Sequence, residues 1–328
     1  MNKTRLAVVG CGQFGRNHCR VVHESERAEL AAVVDTDSAR AAEMASLYGV
    51  QALAAAGELA GRVDAAVVAV PTTVHEEVAC ALMAAGIDVL VEKPIASGLE
   101  EASRMVECAG RFGRVLQVGH LERFNPAVVE LERRATLPLF FEIHRMNQFS
   151  PRSLDVDVVL DLMIHDVDIV LGLTGAEPVE IRAAGIKILS EKVDIANVRL
   201  QFANGCVANL TASRVSTERV RKLRLFQPQQ YLSLDYGRQD LAIFSVNPAG
   251  GKTAGATGQI GFEQVPVAKS EPLKLQLNSF LDAVETRNLV KCSGPAARQT
   301  LGVALAILDK IEEHSAIVSR ALVAGWKR

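Results

Sequence analysis

The stretch Leu6-Ala7-Val8-Val9-Gly10-Cys11-Gly12-Gln13-Phe14-Gly15 decides the fold. Its apolar run reads as a buried strand, its glycines stand in G-x-G-x-x-G spacing, and a helical pattern follows from Gln13 to Glu24. Each glycine answers a physical demand. The first makes a tight turn, the second lets backbone N–H groups approach a pyrophosphate, and the third allows close helix–strand packing, while the helix N-terminus adds partial positive charge. A second strand pattern, Leu30–Val34, ends at Asp35, about twenty residues beyond the last glycine. A carboxylate there accepts hydrogen bonds from ribose hydroxyls and repels a 2′-phosphate. The reading is a dinucleotide site that prefers NAD to NADP, with Arg40 close enough to soften the preference. Its residues are Gly10, Gly12, Gln13, Phe14, Gly15 and Asp35.

Working outward, strand and helix patterns keep alternating. Ala65–Val70, Val89–Val91 and Val115–Val118 read as further strands, and Ser38–Tyr48, Glu76–Ala85 and Leu99–Phe112 as helices. This regularity predicts a doubly wound parallel sheet. After Gly119 the pattern changes. One amphipathic helix is expected from about Val156 to Leu173. Strands then follow in succession at Val179–Ile188, Ala196–Phe202, Val207–Ser213, Lys222–Phe226, Gln230–Leu234 and Leu241–Ser245. Turn signals such as Asn204-Gly205 make these an antiparallel sheet. Asn247–Gly261 reads as a loop or hairpin tip, and helices return at Leu273–Thr286 and Ala296–Ser315. The expected organisation is an α/β chain, with residues 1–122 as a Rossmann domain and residues 123–328 as a second α/β domain for substrate and assembly.

Composition narrows the function. A chain of 328 residues is long for one core and suits two domains. A net charge of −2 provides no broad basic field for nucleic acid. Arg219, Arg221 and Arg224 read as one solvated strand face without an aromatic platform, which also argues against nucleic acid. No apolar run is long enough to span a membrane. The start shows no signal-peptide pattern, and the six cysteines form no C-x-x-C pair, so a reducing cytoplasm is expected. Gly251-Lys252-Thr253 resembles the end of a Walker loop, but Val246 stands where the first glycine is required.

Two segments carry candidate chemistry. Pro71-Thr72-Thr73-Val74-His75 and Glu92-Lys93-Pro94 both follow parallel strands, where open α/β sheets bind ligands. Thr72, His75 and Glu92 are therefore read as cofactor contacts and Lys93 as a group aimed at the substrate; a surface ion pair is the competing reading of Lys93. On the helix after residue 155, Asp157, Asp161, His165 and Asp168 fall on one face. Carboxylates beside an imidazole raise its proton affinity and suit it to general-base work. A solvated helix face is the alternative, and no further His or Cys nearby completes a metal site.

Together these motifs are similar to those of the glucose-fructose oxidoreductase / inositol dehydrogenase (Gfo/Idh/MocA) family, nearly end to end. The resemblance rests on Gly10–Gly15, Asp35, Pro71…His75, Glu92-Lys93-Pro94 and the D-x-x-x-H pair Asp161/His165. It implies a Rossmann domain and an α/β domain whose large, open, mostly antiparallel sheet joins dimers or tetramers. It implies NAD-dependent hydride transfer at a secondary alcohol or ketone of a sugar. Lys93 would polarise the reacting oxygen, His165 would take the hydroxyl proton, and Asp161 would orient His165 or hold a substrate hydroxyl. Which of Lys93 and His165 is the terminal base is left open. Gln117–Pro126 resembles a segment of members that oxidise nucleotide-linked amino sugars, such as UDP-N-acetylglucosamine 3-dehydrogenases. Arg123 and Asn125 would there grip a diphosphate or acetamido group, with a structural hinge as the other reading. The alternatives in function are a sugar–sugar oxidoreductase or redox-assisted glycosidase holding NAD tightly, and a non-catalytic dinucleotide sensor.

Overall fold

A computed structural model describes residues 3–149, 156–247, 259–288 and 290–323. Most of the expected loop Asn247–Gly261, with its Gly251-Lys252-Thr253, lies outside the described residues. The chain divides into two compact units. Met1–Phe124 and Glu271–Leu301 form the first, and Asn125–Ser270 and Gly302–Arg328 the second. The division is thus not a single cut, because a late helical segment belongs with the N-terminal sheet.

The first unit is built on β1 (Thr4–Val9), β2 (Ala28–Val34), β3 (Gln51–Leu53), β4 (Ala65–Val68), β5 (Asp88–Val91) and β6 (Leu116–Val118). They lie side by side in the order β3-β2-β1-β4-β5-β6, and every pair is parallel. The order reverses at β1, between β2 and β4, and such switch points open a crevice at the carboxyl ends of the strands. Helices α1 (Gln13–His23), α2 (Ser38–Tyr48), α3 (His75–Ala84) and α4 (Leu99–Phe112) connect the strands. Strands buried on both faces explain the unbroken apolar runs: Leu6, Ala7 and Val8 have no exposed surface. Asp37 caps α2 by accepting the Ala39 and Arg40 N–H groups, as an N-terminal aspartate does.

The late segment arrives as helix Pro272–Thr286, matching the helix expected at Leu273–Thr286. Its Leu273, Leu277, Phe280 and Leu281 share one core with Leu6, Val8 and Val33. Ion pairs flank that core, with Lys274 2.7 Å from Glu24 and Arg287 2.7 Å from the buried Asp88.

The second unit contains α5 (Pro126–Arg134), β7 (Phe140–Gln148), α6 (Ile164–Thr174), β8 (Pro178–Ile186), β9 (Ile195–Phe202), β10 (Val207–Ser216), β11 (Val220–Gln227), β12 (Gln230–Asp235), β13 (Asp240–Asn247) and β14 (Gln259–Val265). With Pro272–Thr286 as α7, the last helix is α8 (Gly294–Val323), which contributes residues to both units. The eight strands run in the order β14-β13-β12-β11-β7-β10-β9-β8. Only β7 and β10 pair in parallel; the other neighbours are antiparallel. Alternate residues such as Phe141, Ile143, Leu223, Leu225, Leu232 and Leu234 face a core shared with α5 and α6.

Two expectations need correction. The helix expected over Val156–Leu173 is not uniform: a wider π turn at Val159–Met163, closed by the Ile164 N–H on the Val159 carbonyl, precedes α6. The arginines near β11 do not share one face. Arg221 stands on the side of Leu223, whereas Arg224 lies on the opposite side and pairs with Glu142 at 2.9 Å. Odd and even positions of a strand must diverge in this way.

Candidate functional site

The carboxyl ends of β1, β2 and β4 enclose a cleft of about 680 Å³, lined by Gly10, Gly12, Asp35, Arg40, Val70 and Pro71 among others. Gly10 has φ +96°, and a Cβ there would stand 2.5 Å from the Ala69 carbonyl oxygen. A Cβ at Gly15 would overlap the Gly10 carbonyl oxygen. Close packing therefore excludes side chains at these two positions. Gly12 is different. A Cβ there meets nothing within 4 Å, so the open space beside it is room for a ligand rather than a packing demand. The first turn of α1 carries no acidic side chain, and no side chain caps it, so its N–H groups face that space with the positive end of the helix. Gln13 and Phe14 are exposed there.

Asp35 is almost buried, at 9% exposure, and is held rigidly. One carboxylate oxygen accepts the Cys11 N–H at 2.7 Å and the other accepts the Asp37 N–H at 2.8 Å. An ionised carboxylate has acceptor positions beyond these two, and in the cleft they suit ribose hydroxyls. Arg40 donates to Asp37 at 2.8 Å and lies 3.9 Å from Asp35, so its charge is already shared between two carboxylates. The donor set fits a dinucleotide: uncapped amides for the pyrophosphate, a fixed carboxylate for the ribose, and apolar walls for the adenine. All six cysteines are free, and burial followed by the Asp35 charge pushes the Cys11 thiol up to about 11, so it stays a neutral thiol.

At the next strand end, Lys93 is half-buried directly after Glu92. Sequence reading made Glu92 and His75 cofactor contacts, and the geometry gives each partners within the first unit. Glu92 Oε1 lies 2.6 Å from Nε2 of His18, a buried partner on α1 that no motif singled out. Burial pushes the Glu92 carboxyl up, but the His18 hydrogen bond and charge, with Lys93, outweigh it and leave the group below the usual carboxylate range. His75 is 1% exposed, with Nδ1 3.0 Å from the Pro94 carbonyl and Nε2 3.0 Å from the Val70 carbonyl. Burial lowers its proton affinity. Both ring nitrogens therefore face backbone, not the cleft. Thr72 opens the short turn Thr72–Val74 beside Pro71. The only signal for His18 was a polar residue on the inward side of an amphipathic helix.

In the second unit, Asp161 lies in the π turn and His165 in the first turn of α6, both half-buried. Around them most of the helix is buried. Asp157 accepts the Val193 N–H at 2.8 Å, and Arg214 donates to the carbonyls of Val156 and Val193. The segment leading into the helix is thereby moored to the loop before β9. The neighbour of His165, Asp166, takes a two-pronged ion pair from Arg145 at 2.8 Å for each bond, with both groups 1% exposed. The Tyr236 hydroxyl lies 3.2 Å from the same carboxylate, and its ring lies 4.7 Å from the Arg145 guanidinium. Sequence reading missed this network entirely. Asn125 is also committed elsewhere: its side chain caps α5 through the Ala127 N–H and donates to the Tyr236 carbonyl at 3.0 Å, with 3% exposure. These bonds are those of a structural cap. Arg123, half-buried on the turn Leu121–Phe124, keeps its candidacy.

A doubly wound parallel sheet with a glycine-lined, carboxylate-bearing crevice at its switch point defines a nicotinamide-dinucleotide-binding oxidoreductase. The family comparisons agree. Residues 4–120 match the oxidoreductase family with NAD-binding Rossmann fold (GFO_IDH_MocA), and residues 100–227 match a GFO/IDH/MocA C-terminal domain. The UDP-N-acetylglucosamine 3-dehydrogenase of Acidithiobacillus ferrooxidans is 38% identical over 94% of this chain and 97% of its own. A solved structure of UDP-N-acetylglucosamine 3-dehydrogenase from that organism superposes with TM-score 0.89 at 37% identity, covering 96% of this chain and 99% of that one. Inositol 2-dehydrogenase 2 of Saccharopolyspora erythraea is 36% identical over 52% of this chain and 54% of its own. The chain belongs to the Gfo/Idh/MocA family and is an NAD-binding dehydrogenase.

Proposed function

We propose that this enzyme oxidises a secondary hydroxyl of a nucleotide-linked sugar, most nearly the 3-hydroxyl of a UDP-N-acetylhexosamine. One observation carries the substrate class: a UDP-N-acetylglucosamine 3-dehydrogenase matches the chain at 38% identity across both units, whereas the inositol dehydrogenases match in sequence over about half to two thirds of it. A second feature supports it. A cleft of about 470 Å³ in the second unit is lined by Arg219, Arg221, Lys222 and Arg238 with Glu218 and Asp235, and Arg238 pairs with Asp235 and Asp240. Such an excess of cations suits a diphosphate.

Bound NAD supplies the hydride acceptor. The chain supplies position and proton traffic. Lys93 donates a hydrogen bond to the reacting oxygen, and His165 accepts the hydroxyl proton. Asp161, one helical turn before His165, orients the imidazole or a substrate hydroxyl. Asp35 favours NAD over NADP, and Gln13, Phe14 and Thr72 contribute to the cofactor cleft.

The test is NADH formation with UDP-N-acetylglucosamine against myo-inositol and free N-acetylglucosamine. The expected result is turnover of the UDP-sugar alone, and preference for inositol would overturn the substrate class. Lys93→Met and His165→Ala should each reduce turnover by about 10²–10⁴-fold, with NAD still bound; wild-type turnover in either removes that residue from the mechanism.

We also infer assembly through the eight-stranded sheet. Phe140, Phe226, Tyr231, Phe244 and Phe262 form one aromatic row across five strands on the side away from the core, with successive ring centroids 5.0–5.8 Å apart. Phe262 is 62% exposed. Such a row fits a homodimer or homotetramer, and Phe262→Asp should release monomers in light scattering. Among the described residues no helix is long and apolar enough to cross a membrane. The free cysteines support a reducing, cytoplasmic setting.

A further inference from the structure

Lys93 follows β5 on a short segment, Glu92 to Ile95, and buried imidazoles take hold on both sides of it. On one side, His18 binds Glu92 Oε1 at 2.6 Å, and the other Glu92 oxygen accepts the Lys93 N–H at 3.3 Å. Gly119 closes the space behind: a Cβ there would stand 2.8 Å from Glu92 Oε2, so the carboxylate has little room to swing. On the other side, His75 Nδ1 lies 3.0 Å from the Pro94 carbonyl and 3.3 Å from that of Ile95, while Nε2 reaches the Val70 carbonyl. Three stretches converge here, and the neutral His75 ring, with one N–H, donates to one of its carbonyl neighbours. The stretches are α1, which leads on from the glycine loop; Val70, beside the cleft residue Pro71; and the segment bearing Lys93. Ordinary packing would fill these sites with apolar side chains. Buried imidazoles carry a desolvation cost that hydrogen bonds must offset.

We infer that His18 and His75 are positioning residues that fix the Lys93 amine relative to the dinucleotide cleft without touching cofactor or substrate. The inference rests on Lys93 being the reacting amine proposed above. A shift of about 1 Å in a reacting group costs roughly 10²-fold in rate, so loosening either clamp should reduce turnover and leave cofactor affinity intact.

The experiment uses the full chain as wild type, His75→Leu, His75→Gln, His18→Leu, Glu92→Gln and Lys93→Met. NAD affinity is measured by calorimetry and turnover with UDP-N-acetylglucosamine. Lys93 itself is followed by NMR after ¹³C-reductive methylation, with Lys93→Met assigning its resonance, so one readout needs no substrate. In the wild type, NAD should shift the Lys93 resonance. His75→Leu and His18→Leu should lose that shift and lower kcat roughly 10- to 100-fold, with NAD Kd within about threefold. His75→Gln, which keeps an N–H donor, should recover most of both. Should His18→Leu fail to fold, Glu92→Gln weakens the same bond more gently. A Lys93 response and kcat equal to wild type in His75→Leu and in either His18→Leu or Glu92→Gln would overturn the inference. A parallel fall in NAD affinity and kcat, without rescue by His75→Gln, would do the same by reducing the histidines to scaffolding. Failure of the underlying reading looks different: no NAD-induced shift in the wild type and unimpaired turnover in Lys93→Met.

Discussion

In the first unit the buried ionisable groups around Lys93 are His18, Glu92 and His75: His18 meets Glu92 seventy-four residues away, and His75 faces backbone carbonyls of the loops that follow parallel strands. In the second unit they are Arg145 with Asp166 and Arg214 with Asp194, each an arginine from a strand in an ion pair with a buried carboxylate. The contrast follows from how each unit positions chemistry. Parallel strands deliver loops to one edge, so bonds between neighbouring loops and helices can aim a side chain. A helix lying over an antiparallel sheet can rotate and slide, and needs a tether of fixed direction. The forked Arg145–Asp166 pair provides one beside His165, because two parallel bonds fix orientation as well as distance.

The largest effect should therefore come from the second unit. Removing one partner of a fully buried pair leaves the other charged and stranded, at a cost of about 3–5 kcal/mol. Arg145→Met and Asp166→Asn should each destabilise the protein by that amount in urea unfolding. The double replacement Arg145→Met with Asp166→Leu should recover part of the loss, since an apolar pair leaves no stranded charge. Single losses below about 1 kcal/mol would mean that water reaches the pair, and the contrast between the units would fail.

The same contrast explains what was legible beforehand. The parallel sheet could be read because its strands are apolar throughout and its loops carry glycines and prolines whose backbone demands are local. Glu92-Lys93-Pro94 and Asp35 could be read for the same reason. Strand β7, Phe140–Gln148, could not: its inward positions are Phe141, Ile143 and Arg145, and a charged residue at a core position breaks the alternation that marks a half-buried strand. Asp166 hid its partner in turn, since an aspartate on a helix normally reads as solvent-facing. The π turn at Val159–Met163 has no composition of its own, and β3, at three residues, is too short for any period to register. Of the site, residue identities were visible, while the bonds that tie His75, Glu92 and Asn125 to other parts of the fold appear only when separate segments meet.

A smaller effect belongs to the first unit. Asp35 holds the Cys11 and Asp37 amides and leaves acceptor positions for a ribose. Hydrogen bonds to a charged group contribute about 1.5–3 kcal/mol, so Asp35→Ala should weaken NAD roughly 10- to 100-fold in calorimetry and narrow the gap to NADP. Its unfolding free energy should change less than that of Arg145→Met. An NAD affinity within twofold of wild type would show that the carboxylate serves the loop and not the cofactor.

The smallest effect is one of pH, and it returns to the second unit. Asp194 has no exposed surface, and burial alone would push its carboxyl up. The Ser190 hydroxyl and the N–H groups of Ile188, Leu189 and Ser190, all within 3.0 Å, outweigh burial and bring it down to about 2. A carboxylate whose folded value lies below its unfolded value stabilises the fold fully above the unfolded value, near 3.9. That contribution fades as pH falls toward about 2, because the folded state must then take up a proton it resists. The melting temperature of the wild type should accordingly drop more steeply between pH 4 and pH 2 than that of Asp194→Asn, which starts lower and has no proton to gain at this position. Parallel melting curves for the two proteins across that interval would show that the loop before β9 is held by packing rather than by its buried carboxylate.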